Sequence, residues 1–313
     1  MERYLVTGGA GFIGSNIVEE LLSKKEEVRV LDNFLTGKKE NIAPFLDKIE
    51  FMEGDIRDYK TCCQAVEGVN RVLHQAALPS VPRSIADPVL ANDINIKGTL
   101  NLLLASRDKR VKRFVFASSS SVYGDDPALP KKETMPPRPL SPYALTKMVG
   151  EMYCRIFRQI YGLSTVSLRY FNIFGPRQDP FSQYAAVIPN FINKILHGER
   201  PVIFGDGRQS RDFTYVANVV EANILAAKSQ KVTADVINVA CGRRTTVNSL
   251  AARINRILKK DLKPSHAPPR PGDVKHSFAD ISRAKKELKY SPQVSFDQGL
   301  EKTIRWYQER EER

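Results

Sequence analysis

The pair with the most chemical promise is Tyr143 and Lys147, within Ser141-Pro142-Tyr143-Ala144-Leu145-Thr146-Lys147. Pro142 suits the first turn of a helix, where its missing N–H is not needed. Leu145, Val149 and Met152 continue at helical spacing. Four residues make about one turn, so phenol and ammonium point the same way. A nearby ammonium favours phenolate, which would let Tyr143 act as a base near neutrality, well below its usual pKa of about 10. In a chain with 11 tyrosines such a pair arises roughly once by chance. Its meaning depends on residues elsewhere. Ser118-Ser119-Ser120-Ser121 follow the strand-like Arg113-Phe114-Val115-Phe116-Ala117. That is the carboxyl end of a strand, where open α/β sheets place ligands.

The elements that would position these groups begin at the amino terminus. Arg3 to Thr7 reads as a buried strand. It runs into Gly8-Gly9-Ala10-Gly11-Phe12-Ile13-Gly14, then an amphipathic helix over Ser15–Lys24, then a strand over Glu27–Leu31 ending on Asp32. Strand, glycine turn, helix, strand and acid make a dinucleotide-binding unit. Gly8, Gly11 and Gly14 let the backbone approach a pyrophosphate at the helix N-terminus. The spacing is looser than G-x-G-x-x-G. Asp32 would accept both ribose hydroxyls and repel a 2′-phosphate, which favours NAD over NADP. Asn33 to Asn41 is a polar loop carrying Thr36 and Gly37. Ile49 to Asp58 reads as a third strand with Asp55, followed by Ile56, where adenine would lie. Arg71–His74 is a fourth strand closing on Gln75-Ala76-Ala77, whose small alanines admit a cofactor; His74 is expected to pack in the fold. A long helix is predicted from Val89 to Ser106. Asn95, unfavourable in mid-helix, has either a polar role in the site or a packing role.

Composition narrows the classes. A chain of 313 residues, 42% hydrophobic, suits a soluble protein of two modules, or of one large module with an appended lobe. Its short, charge-broken apolar runs exclude a membrane span, and no signal-peptide pattern opens the chain. Cys62, Cys63, Cys154 and Cys241 lack metal-ligand spacing, so no metal is expected and reduced cytoplasmic thiols are. The net charge of +13 comes from scattered doublets such as Lys24-Lys25 and Lys259-Lys260. Without a stripe or interleaved aromatics, this pattern argues against nucleic acid.

Thr165–Leu168 reads as a sixth strand, and the chain is expected to leave the first domain within Asn172–Pro180. A Rossmann-type, doubly wound α/β domain over 1–175 would regain a segment at about 212–243, through strands at Phe213–Val216 and Val236–Val239 around a helix at Asn218–Lys228. A smaller mixed α/β lobe would comprise 176–211 and 244–313, with helices at Val187–His197, Thr246–Leu258 and Ser295–Arg313 and a strand at Val202–Phe204. Trp306 is expected to pack.

Taken together, the chain resembles an extended short-chain dehydrogenase/reductase of the nucleotide-sugar 4-epimerase group over essentially its whole length. The matching stretches are Thr7 to Gly14, Asp32-Asn33, Gly54-Asp55-Ile56, His74 to Ala77, Ser119 before Tyr123-Gly124, Tyr143-x-x-x-Lys147, Arg169-Tyr170-Phe171-Asn172, Arg211-Asp212 and Arg270-x-Gly-Asp273. The resemblance implies a Ser119–Tyr143–Lys147 triad, a retained NAD also touched by Tyr170, and a homodimer formed through the Val89–Ser106 and Tyr143–Ile160 helices. For a UDP-sugar it implies an Arg211 and Arg270 diphosphate clamp, Asn172 on a phosphate or sugar, Val202 and Phe204 beside uracil, and Asp273 on ribose. Ser80, Val81, Arg83, Ala186 and Val187 would complete the cleft.

Ser120-Ser121 replace the acids that related dehydratases and decarboxylases use, which leaves 4-epimerisation. Ser277, where a tyrosine would exclude an acetamide, implies interconversion of UDP-N-acetylglucosamine and UDP-N-acetylgalactosamine, with UDP-glucose as a second substrate. The alternatives are UDP-glucuronate, whose carboxylate Arg83 would meet, or a non-enzymatic NAD(H) sensor.

Overall fold

The computed structural model describes residues 2–180, 186–229, 232–269 and 274–311. Six strands open the chain: β1 (Arg3–Thr7), β2 (Glu27–Asp32), β3 (Glu50–Glu53), β4 (Arg71–His74), β5 (Arg113–Ser119) and β6 (Thr165–Tyr170). With Val236–Val239 they form one seven-stranded sheet, in the order Val236–Val239, β6, β5, β4, β1, β2, β3. Every pairing is parallel. The sheet is therefore the doubly wound α/β architecture expected from the sequence.

The strands read as continuous apolar runs because both faces are covered. Successive residues of β1 enter opposite cores: Tyr4 and Val6 join one, Leu5 the other. On the first face Ile17, Val18 and Leu21 of helix Phe12–Ser23 pack beside helix Val216–Lys228. The second face holds Leu102 and Leu103, with Cys154 and Phe157 of helix Pro142–Tyr161 and helix Tyr59–Val66. The last of these was not apparent in the sequence.

The predicted helix at Val89–Ser106 is observed as helical structure over 88–108, with a π-helical stretch at Asp93–Lys97 that contains Asn95. The third strand stops at Glu53, so Asp55 lies beyond it, bonded to Asn33 at 2.8 Å and paired with Arg57. Val236–Val239 returns to the sheet as expected. Phe213–Val216 does not: Thr214–Tyr215 pairs in parallel with Ile173–Phe174, outside the main sheet. Outside the main sheet, Val202–Phe204 pairs with Ser265–Ala267. Ser210–Arg211 lies between Thr245–Thr246 and His276–Ser277. Trp306 packs edge-on against Tyr307, with Arg310 over its ring. Among the described residues, no helix is long and apolar enough to cross a membrane.

Candidate active site

The glycine turn sits at the carboxyl end of β1. Gly8 has φ +68, and a Cβ there would stand 2.7 Å from the Ala76 nitrogen. A Cβ on Gly14 would stand 2.1 Å from the Gly8 carbonyl oxygen. Only glycine lets the turn fold this tightly against the segment after β4. The helix starts at Phe12, three residues earlier than its apolar period suggests, and has no side-chain cap. Its first-turn N–H groups lack intrahelical acceptors, and Phe12, Ile13 and Gly14 line a cavity of about 830 Å³. Asp32 borders the same cavity. One carboxylate oxygen accepts from Ala10 N at 2.9 Å, the other from Phe34 N at 2.8 Å. Burial pushes its pKa up while these N–H groups pull it down.

The remaining cofactor expectations converge there too. Gly8, Gly11, Asn33, Thr36, Gly37, Asp55, Ile56, Gln75, Ala76, Ala77, Tyr143, Lys147 and Tyr170 all line the cavity. A glycine cradle, an acid at the end of β2 and this volume fit a dinucleotide. Tyr170 is held by Asn223 at 2.9 Å and Gln75 at 3.2 Å. Asn95 is the exception. It is 2% exposed; its carbonyl accepts from Leu78 N at 2.7 Å, and its amide donates to Leu78 O at 3.3 Å and Thr146 Oγ1 at 3.0 Å. Every polar atom is occupied, so Asn95 ties the loop after β4 to the Tyr143 helix and does not line the cavity. His74 is likewise structural, bonded to Thr7 at 2.7 Å and Thr99 at 2.9 Å, with burial lowering its pKa to about 3.

Helix Pro142–Tyr161 is capped by Ser141, whose hydroxyl accepts from Ala144 N at 3.2 Å. Ser84 Oγ accepts from Tyr143 N at 3.0 Å. The side chains of Tyr143 and Lys147 face the same cavity. Lys147 Nζ donates to Ala117 O at 2.8 Å, and burial lowers its pKa to about 8. Ser119 stands beside the Tyr143 phenol and lowers its pKa against the burial that raises it. Ser119 Oγ itself accepts from Ser121 N at 3.1 Å and Ser121 Oγ at 2.9 Å. Those acceptances leave its own proton for the phenol oxygen.

The expected lowering of the Tyr143 pKa is not seen. Burial raises it, opposed only by Ser119. The Lys147 ammonium is committed to a carbonyl and lies 5.9 Å from the phenol ring centroid.

The substrate residues expected from sequence are only partly assembled. Ser80, Arg83 and Ala186 join Tyr143 in the cavity lining. Ser80 caps helix Val81–Ala86, and Val81 is exposed at its start. Ser120 begins the short helix after β5. Asn172 has φ +38, and its carbonyl accepts from Thr214 N at 3.2 Å. Val187 opens helix Val187–Leu196; Val202 and Phe204 flank buried Ile203. Arg211 bonds Ser210 O and Lys275 O and lies in register with Ser277. Val81, Ser119, Ser120, Ser121, Asn172, Val187, Val202, Phe204, Arg211 and Ser277 do not line the cavity. Arg270 and Asp273 lie outside the described residues.

Sequence reading missed Lys38, Asn41, Arg177, Gln178 and Asp179 in the lining, which Ser118 of the serine patch also joins. Lys38 pairs with Asp179 at 3.4 Å, joining two loops that no local pattern connects. Among the described residues, no cluster of three or more His, Cys, Asp or Glu could hold a metal, and all four cysteines are free.

Residues 4–240 match the NAD dependent epimerase/dehydratase family. A putative UDP-glucose 4-epimerase from Methanocaldococcus jannaschii is 41% identical over 305 residues, 96% of this chain and 97% of that protein. A UDP-N-acetylglucosamine 4-epimerase from Methanobrevibacter ruminantium M1, solved with UDP-N-acetylmuramic acid, superposes with a TM-score of 0.95 at 43% identity, covering 99% of each chain. A UDP-glucuronic acid 4-epimerase from Bacillus cereus, solved with UDP-glucuronic acid and NAD, gives a TM-score of 0.91 at 32% identity, covering 98% of this chain and 99% of that one. The glycine cradle, the acid ending β2 and the tyrosine–lysine pair thus stand in a chain whose relatives include UDP-sugar 4-epimerases, and the chain belongs to the NAD dependent epimerase/dehydratase family.

Proposed function

We propose that the protein is a UDP-sugar 4-epimerase acting on UDP-N-acetylglucosamine, with UDP-glucose as a second substrate. The observation that carries the reading is the meeting of Ser119, Tyr143 and Lys147 beside the dinucleotide cavity. Bound NAD supplies the reversible hydride acceptor. Tyr143 takes the proton of the sugar 4-hydroxyl and later returns it. Ser119 donates to the phenol oxygen, its acceptor sites filled by Ser121. Lys147 supplies positive charge beside the phenolate that forms. Burial raises the Tyr143 pKa in this site, and the positive charge of a bound nicotinamide ring would bring the phenol toward its working range.

The substrate reading rests on Ser120-Ser121, which offer no acid for dehydration, and on Ser277, which leaves room for an acetamide. Residues 1–175 with 212–243 would hold the cofactor; 176–211 and 244–313, including Arg211, Arg270 and Asp273, would close on the UDP-sugar. Val89, Leu145, Met152, Ile156 and Ile160, each between 39% and 69% exposed, form the face of a homodimer. A cytoplasmic location fits the free thiols.

The second reading is UDP-glucuronate, favoured by Arg83 in the cavity lining. Offering the three UDP-sugars separately and identifying each product decides between them. Conversion of UDP-glucuronate alone would refute the first reading. Tyr143→Phe is expected to lower turnover at least 100-fold with UDP-sugar affinity nearly intact; near-normal turnover would refute the role given to Tyr143.

A further inference from the structure

Beneath the triad lies a buried polar cluster to which sequence reading gave no role. Glu151 stands one turn beyond Lys147 and is 6% exposed. Its carboxylate accepts from Arg169 Nε at 2.8 Å and Nη2 at 2.7 Å, and from Ser118 Oγ. Ser118 and Arg169 are partners across β5 and β6. The other side of Arg169 lies 4.6 Å from the Tyr123 ring centroid. Three helix residues spaced by four thus meet three consecutive residues of β5: Tyr143 meets Ser119, Lys147 meets Ala117 O, and Glu151 meets Ser118.

We infer that Glu151 is a positioning residue of this site: it clamps the end of β5 to the catalytic helix and so sets how Ser119 and Ala117 meet Tyr143 and Lys147. A bidentate, desolvated carboxylate suits that task, because its geometry is fixed in two planes and slippage would leave Arg169 buried without a counter-ion. Glu151 also places a negative charge within reach of Lys147. The charged and titratable groups facing Lys147 are Tyr143, Glu151 and Cys154 on its own helix and His74 on β4, with Arg169 on β6 acting behind Glu151. Glu151 favours the ammonium against the burial that opposes it.

The inference rests on the triad reading, so its test includes a measurement that needs no turnover. Glu151→Gln strands the Arg169 charge and is expected to destabilise the fold. Glu151→Leu with Arg169→Met replaces the pair by apolar groups and is expected to melt near wild type. Ser118→Ala removes one arm of the clamp and leaves the ion pair. In the double variant kcat should fall about 10- to 100-fold with KM little changed, because displacement at the reacting centre, not ground-state binding, is what is lost. Ser118→Ala should lower kcat less, with unchanged melting.

The second readout is the pH dependence of Lys147 acetylation by acetic anhydride, followed by peptide mass spectrometry. Its midpoint should move to lower pH in the double variant, because the carboxylate that favours the Lys147 ammonium is gone. Wild-type kcat with a wild-type acetylation midpoint in the double variant would overturn the inference. Should that variant fail to fold, wild-type kcat in Ser118→Ala would overturn it and a lowered kcat would support it. Full activity in Tyr143→Phe would instead sink the triad reading, while the acetylation midpoint still judges Glu151.

Discussion

Replacing Gly150 by alanine tests how closely the helix that carries Tyr143 and Lys147 must approach β5. A Cβ at this position would stand 2.4 Å from Phe116 Cζ and 2.7 Å from Cε1. Carbon atoms normally rest about 3.5–4.0 Å apart, so ring or helix must yield by about 1 Å. The ring is poorly placed to yield: Phe116 is 1% exposed, with the Lys147 ammonium 5.0 Å and the His74 ring 5.7 Å from its centroid. The helix therefore moves, carrying Lys147 and Tyr143 with it. Two stability terms oppose one another. Alanine gains about 1 kcal/mol over glycine inside a helix, and overpacking costs about 1–3 kcal/mol. The net destabilisation is at most about 2 kcal/mol, too little to unfold an ordinary domain. A displacement of about 1 Å at reacting groups nevertheless lowers turnover about 100-fold. Gly150→Ala should thus melt a few degrees lower yet lose about two orders of magnitude in kcat in a coupled epimerase assay. Phe116→Leu in the same chain should restore part of that activity. A Gly150→Ala protein that melts higher than wild type and turns over at the wild-type rate would refute the close-packing reasoning.

Asp32→Ala leaves the Ala10 and Phe34 N–H groups without acceptors. At about 1–3 kcal/mol per stranded group, the purified variant should carry little NAD, measured after denaturation; full NAD content would contradict the assignment. Asp212 is buried, accepts from Cys241 N at 3.0 Å and Gly242 N at 2.9 Å, and burial raises its pKa to about 6. With the folded pKa above the unfolded value, the native state binds the extra proton, so this group's contribution is fully present near pH 4 and is lost as pH rises through about 6. The loss is on the order of 2–3 kcal/mol, and Asp212→Asn should flatten the pH dependence of the melting temperature over that window. Lys38→Ala breaks the ion pair with Asp179 across the cofactor cavity. Both side chains are partly exposed, so a contribution of about 0–1 kcal/mol is expected, and NAD should dissociate no more than about fivefold faster in a chase experiment.

What could be read in advance followed the range of the interactions. The β1–glycine turn–β2 unit and the Tyr143–Lys147 turn are local, and their periods and spacing stand in one short stretch. The Phe213–Val216 stretch was recognisable as extended, but four residues carry no information about a partner strand, and Thr214–Tyr215 chose Ile173–Phe174. The two-residue strands around Ser210–Arg211 have no period to detect. Asn95 was flagged by its poor fit to a helix; that its amide would bridge Leu78 and Thr146 was a fact of tertiary structure. Charge arithmetic along one helix suggested an ionised Tyr143, and it failed because it omitted desolvation and the Ala117 carbonyl that holds Lys147. Glu151 escaped notice for the same reason: Arg169 and Ser118 come from other strands.

The most direct measurement follows deuterium at C4 of UDP-N-acetylglucosamine through one conversion in ordinary water. If the C4 hydrogen is lifted to the bound dinucleotide and set back on the opposite face, the UDP-N-acetylgalactosamine formed keeps its deuterium and no free NADH accumulates. Loss of the deuterium to solvent, or a stoichiometric release of NADH without epimer, would contradict the mechanism at its root.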